Sequence, residues 1–244
     1  MTKLVITESK LFVRDRAALF WGLAFPAVVF VALGAFFPGF RDPVPEIGGR
    51  RLIDLYAPIV LVLALATVAF TTLPVMLATY REFGILRRMR TTPVHPGRLL
   101  AAQLGVHVAV ATAAMLLTLT IGVLAFDIEL PANMLGFVAV FVLAAASMLA
   151  MGLFIGSVAK TASAGQGIGM AVYFPMLFFA GIYFPREGMP ESLRRVSDFT
   201  PAGAAVQAMS DVWAGAGPSL SSVAVMAGFA VVAGGVAARL FRWE

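Results

Sequence analysis

Cysteine is absent from the 244 residues, which excludes disulfides, thiolate metal sites and cysteine nucleophiles. Charge is scarce: 13% of residues are Asp, Glu, Lys or Arg, about half the share of an ordinary soluble domain. The sequence holds no Gly-x4-Gly-Lys-Ser/Thr phosphate loop, no His-Glu-x-x-His zinc helix and no Gly-x-Ser-x-Gly elbow. It therefore lacks the usual means of binding ATP and the usual signatures of a hydrolase. What is abundant is apolar surface. Hydrophobic residues make up 60% of the chain and the mean hydropathy is +0.92, far too apolar for disorder and for a soluble enzyme.

Six stretches without Asp, Glu, Lys or Arg are long enough to cross a bilayer, which takes about 20 apolar residues. They are 17–37, 58–79, 99–126, 133–158, 163–185 and 218–238. The segments between them are too short for a separate catalytic domain, so 1–244 reads as one all-α transmembrane domain with six spanning helices. The first span lacks a small-residue cleavage pattern and is expected to stay in the mature protein.

Lys and Arg in the loops set the orientation. Twelve of the eighteen cations fall at the N-terminus, in the loops after the second and fourth spans, and after the sixth span. The other side carries six, alongside nine acids. Both termini are thus expected in the cytoplasm, in a multi-pass protein of the cell inner membrane. The net charge of +5 belongs to the lipid surface rather than to a nucleic-acid partner. The Arg- and Ala-rich composition points to a bacterial source.

Residues 1–16 read as an amphipathic helix lying in the interface. Lys3, Thr7, Lys10 and Arg14 share one face; Leu4 with Leu11, Val5 with Phe12 and Ile6 with Val13 fill the other. A plain anchor and a cuff receiving force from a cytoplasmic partner both fit. Pro26, Pro74 and Pro175 interrupt the first, second and fifth spans and favour kinks. Gly152 with Gly156, and Gly165 with Gly169, form two small-residue steps suited to close helix packing. Packing inside the chain comes first as their reading, oligomer contact second. His107 is the single strongly titratable side chain inside a span. Without a carboxylate partner it makes a poor proton relay, and it is expected to be a hydrogen-bonded packing residue.

The loop from Tyr80 to Arg98 is the most informative segment. Arg81 to Arg90 can form a short helix, with Thr92 and Pro93 turning the chain away. Glu82 suits the positive end of that helix. Phe83, Leu86 and Met89 or Arg90 give it an apolar ridge flanked by cations, a shape for docking in a partner's groove.

With Arg81, Glu82, Gly84, Leu86, Arg90, Thr92 and Pro93 in the pattern Arg-Glu-x-Gly-x-Leu-x-x-x-Arg-x-Thr-Pro, the chain resembles the ABC transporter permeases of the type-2 export family. The daunorubicin-resistance-type drug exporters and exporters of lipid or polysaccharide belong there. A second match is Gly181 to Pro185 followed by Pro190 and Pro201, and a third is Arg14-Asp15 ahead of Leu19 to Trp21. The resemblance implies six spans per subunit, a homodimer or heterodimer, and short re-entrant helices between the fifth and sixth spans. It implies two copies of a separate ABC-type ATPase, which binds the ATP and Mg. This chain would hold no cofactor and would not itself be an enzyme. The segment with Arg81, Glu82, Phe83, Gly84, Leu86, Arg87 and Arg90 would be the coupling helix touching that ATPase. A lipophilic drug, lipid or glycan-type substrate would pass along the dimer interface, past Phe70, Met76, Phe174 and Phe178. Two alternatives remain at this point. One is a structural or regulatory membrane subunit. The other is a lipid-modifying membrane enzyme using Glu187, Glu191, Asp198 or Asp211.

Overall fold

A computed structural model describes residues 2–45, 48–85 and 97–240. Helix α1 spans Thr2–Arg14. Six longer helices follow that are long and apolar enough to cross a membrane: α2 Arg16–Phe36, α3 Leu52–Glu82, α4 Gly97–Phe126, α5 Met134–Val158, α6 Ala162–Ala180 and, last in the chain, α9 Leu220–Leu240. Two shorter helices, α7 Glu191–Asp198 and α8 Pro201–Trp213, lie between α6 and α9. A two-stranded ribbon, β1 Pro43–Val44 with β2 Arg50–Arg51, joins α2 to α3.

Helix α3 is the hub. It is apolar on every side, the pattern of a helix surrounded by others. Val60, Leu61, Val62, Val68, Phe70, Leu73 and Leu77 are all fully buried, packed by α2, α4, α5, α6 and α8. Helix α9 is the opposite case. It rests mainly on α5 and leaves Leu220, Val231 and Val232 exposed, a surface suited to lipid.

Pro26 and Pro74 do more than kink their helices. Each follows a π-helical segment, Phe20–Ala24 in α2 and Val68–Thr72 in α3. Leu73 N–H returns five residues to Val68 O. Pro74, next in that register, has no N–H to give Ala69 O. Glycine covers this backbone. A Cβ at Gly152 would lie 2.1 Å from Ala69 O, and one at Gly169 would lie 2.0 Å from Phe70 O. Gly156 meets Leu77 and Gly165 meets Pro74 and Ala78 in the same way. Both small-residue steps therefore pack inside the chain, on the two flanks of α3. Tyr173 reinforces the α6 flank, its hydroxyl 2.9 Å from Thr67 Oγ1.

The sequence reading carried the fifth span to Pro185, whereas α6 stops at Ala180. Gly181 adopts the left-handed conformation (φ 90°) and donates back to Leu177 and Phe178, a glycine helix stop. The chain then turns into α7 and α8, which begin just after Pro190 and at Pro201. Arg186 is buried and ties them to α6. Its guanidinium donates to Ser197 Oγ, Asp198 Oδ1 and Gly203 O, while Ser197 donates to Phe179 O at 2.6 Å. At the same end, Arg51 grips Asp54 and donates to Phe126 O and Asp127 O, both at 3.0 Å. A cation there complements the carbonyl end of α4.

Candidate functional site

The end of the bundle that carries α1 gathers most of the residues expected to act. Arg81 and Glu82 are the last turn of α3 rather than the start of a separate helix. Phe83 N–H bonds Thr79 O, Gly84 N–H bonds Arg81 O, and Gly84 takes φ +66°. The span helix thus runs straight into the loop because no breaker precedes Gly84. Leu86, Arg87 and Arg90 lie outside the described residues.

Both charged side chains of this turn grip other spans. Arg81 donates to Gly156 O at 3.1 Å and to Ala159 O, at the carbonyl end of α5. Glu82 Oε2 accepts Ala162 N–H at 2.8 Å, at the amide end of α6. Each charge matches the helix dipole it meets. The tight turn between α5 and α6 is therefore held from both sides by neighbouring residues of α3. Phe83, one residue on, is 67% exposed.

Helix α1 docks by a buried carboxylate that its amphipathic pattern does not announce. Glu8 is 4% exposed. Its Oε2 accepts from Tyr80 Oη and Gln103 Nε2, both at 2.6 Å. Burial raises the Glu8 pKa above the usual carboxylate value, and these two hydrogen bonds only partly offset it. Phe12 packs beside Glu8, edge-on to His107 with ring centroids 5.9 Å apart. The expected apolar face divides accordingly. Leu4, Val5 and Phe12 turn inward with Glu8, while Ile6, Leu11 and Val13 stay exposed.

A cleft of about 320 Å³ opens beside this junction. Phe12, Asp15 and Trp21 form one wall, Thr72, Met76 and Thr79 the other, and Gln166 and Met170 close it from α6. Both π-helical segments reach it, through Trp21 and through Thr71 and Thr72. Such segments recur at functional sites because they turn side chains out of the regular helical stripe. His107 also lines it. Its Nδ1 sits 2.8 Å from Gln103 O, and its Nε2 is buried without a partner among the described residues.

The four residues expected along a substrate path do not come together. Met76 lines the cleft. Phe70 is fully buried in the core, its carbonyl against Gly169. Phe174 is 55% exposed on the outer side of α6, and Phe178 stacks edge-on with Phe179. The loop acids considered for catalysis have structural tasks. Glu191 pairs with Arg195, Asp198 with Arg186, and Asp211 accepts from Gln207 and from Ser219 N–H. Nothing is described of the Glu187 side chain.

Comparison with known proteins adds a family. The ABC-2 type transporter model matches residues 2–213, which takes in α1 through α8. No curated protein matches the chain.

Proposed function

Because the chain belongs to the ABC-2 type transporter family, and is thereby a membrane permease component of an ABC exporter, we propose a specific route by which it is driven. The motor is a separate ABC-type ATPase, two copies serving two permease chains, homodimeric or heterodimeric. It docks on the cytoplasmic segment that begins at Phe83. The substrate is a lipophilic drug, lipid or glycan-type molecule taken from the cytoplasm or the inner leaflet.

The Arg81–Glu82 grip is the observation that carries this reading. Force applied to the turn at exposed Phe83 enters α3 through its last residues. Arg81 and Glu82 pass it at once to the facing ends of α5 and α6. Three spans then move with one docking segment. Glu8 brings α1 into the same unit through Tyr80, one residue before Arg81. Met76 and the cleft beside it move with α3, so ATP-driven closure changes the shape of the space a substrate would occupy. Phe174 and Phe178 remain candidates for its later path along a second permease chain.

Reconstitution with the cognate ATPase in liposomes tests the proposal. Glu82→Ala frees the amide end of α6, and Gly84→Pro abolishes the φ +66° turn. Each is expected to leave basal ATP hydrolysis in place and to cut transport per ATP by about tenfold, Glu82→Ala through the loss of one charge-assisted hydrogen bond and Gly84→Pro through the loss of the turn and of its N–H bond to Arg81 O. Full, substrate-stimulated transport in both variants would sink the coupling role.

A further inference from the structure

The polar groups lining the cleft are one-sided in their hydrogen bonding. The hydroxyls of Thr71, Thr72 and Thr79 each donate to the carbonyl four residues back, at 2.6, 2.7 and 2.7 Å. Only their lone pairs remain to face the cleft. Tyr80 Oη is committed to Glu8. Asp15 spends Oδ1 on the N–H groups of Ala17 and Ala18, both at 3.0 Å, while Oδ2 has no partner among the described residues. Phe25 N–H returns to Phe20 O, and Pro26, next in that register, has no N–H for Trp21 O. His107 Nδ1 faces a carbonyl, which can only accept. The proton is therefore assigned to Nδ1, and Nε2 of the neutral ring is a further acceptor. Against these stand two donors, the Trp21 indole N–H and the Gln166 amide.

Charge runs the same way. Asp15 is the single ionised side chain among the lining residues. The remaining walls are Phe12, Trp21, Val75, Met76 and Met170, aromatic faces and thioethers that favour a cation and an apolar body. The volume of about 320 Å³ falls at the small end of ligand sites.

We propose that this cleft binds a protonated primary or secondary amine carried on an apolar body. The ammonium lies near Asp15 and the threonine oxygens and donates to them; the body lies against Trp21, Met76 and Met170. An aminophospholipid headgroup and a free lipophilic amine share this chemistry. As a statement about what is transported, the proposal rests on the permease reading. As a statement about binding, it stands without it.

The test uses the full chain in nanodiscs of phosphatidylcholine, whose headgroup carries no N–H. With Trp213→Phe and Trp243→Phe, Trp21 is the single indole of three and reports from the cleft. Dodecylamine is expected to change its emission saturably. Dodecyltrimethylammonium, which has charge but no donor, and dodecanol, which has no charge, are each expected to bind at least about tenfold more weakly. Asp15→Asn keeps a capping side chain on α2, so it preserves the fold, and it is expected to weaken dodecylamine by about tenfold. Saturation by phosphatidylethanolamine doped into the discs, with loss of the dodecylamine response, identifies a resident lipid as the source. A response to dodecylamine that persists in those discs identifies a free amine. Equal binding of the three probes, or no effect of Asp15→Asn, overturns the proposal. No ATPase enters the measurement, so such a result leaves the permease reading untouched. That reading fails separately if no ABC-type ATPase co-purifies with the chain.

Discussion

Glu8 is a carboxylate held by two neutral donors and sealed from water, an arrangement in which the charged form is the costly one. Its folded pKa lies above the value of 4.5 it has when exposed. In the window between the two, the docked state holds the proton and the undocked state releases it. Docking of α1 is therefore tightest below about pH 4.5 and weakens as pH rises through the raised pKa, above which the loss is constant. Glu8→Gln fixes the uncharged state. Hydrogen exchange of α1 amides, corrected for the intrinsic pH effect, should show protection falling with pH in the native chain and staying level in the variant. A level profile in both would show that Glu8 carries no such linkage. The sequence offers little sign of this residue. One acid in a basic amphipathic helix looks like a solvated charge, and its partners Tyr80 and Gln103 lie 72 and 95 positions away. Arg81 and Glu82 stand out in the sequence by their motif, yet the contacts they make are not legible there, because the partners are backbone groups of helix ends 75 to 80 positions distant.

Among the elements, the helices were legible and their junctions were not. Six apolar runs and the prolines at 190 and 201 suffice to place α2 to α6, α9 and the two short helices α7 and α8. Hydropathy is blind to a backbone hydrogen bond that changes register, so the π-helical segments before Pro26 and Pro74 stayed hidden. Hydropathy also carries the fifth span through Gly181, since the residues beyond it are as apolar as those before. The glycines give a sharp test of the packing. A Cβ at Gly152 meets Ala69 O, whereas one at Gly167, on the same bundle but facing open space, meets nothing within 4 Å. Gly152→Ala should destabilise the folded chain by about 1–3 kcal/mol through forced separation of α3 and α5. Gly167→Ala should stabilise it by up to about 1 kcal/mol, the helix propensity gained. Thermal unfolding in one detergent compares the two, and equal shifts would remove glycine contact as the reason α5 lies so close to α3.

Across the whole molecule, the loop cations lead to the expectation that the end of the bundle carrying α1 is cytoplasmic. The α5–α6 turn bears exposed Lys160 there, and the start of α7 bears exposed Ser192 at the other end. The native chain has no cysteine, so a single introduced thiol reports its own side. Ser192→Cys should react with a membrane-impermeant maleimide in intact cells, and Lys160→Cys only after permeabilisation. The reverse pattern would invert the orientation. What the sequence could not convey at this scale is how unequally the spans share the interior. α3 and α9 are comparably apolar, yet α3 is enclosed and α9 lies along the outside, a difference set by which neighbours reach each surface.

The enclosure of α3 has a consequence for how the protein is made. Ribosomes deliver the second span to the bilayer well before the fourth and fifth exist. Until then, Ala69 O and Phe70 O lie in lipid beside a proline that cannot donate to either, without Gly152 to cover the first and Gly169 the second, and an uncovered backbone carbonyl in hydrocarbon is costly. The nascent second span is thus an incomplete part that must wait, in the insertion machinery or at its rim, for glycines encoded some 80 to 100 residues downstream. Chains interrupted before Gly169 are the ones quality-control proteases should remove first.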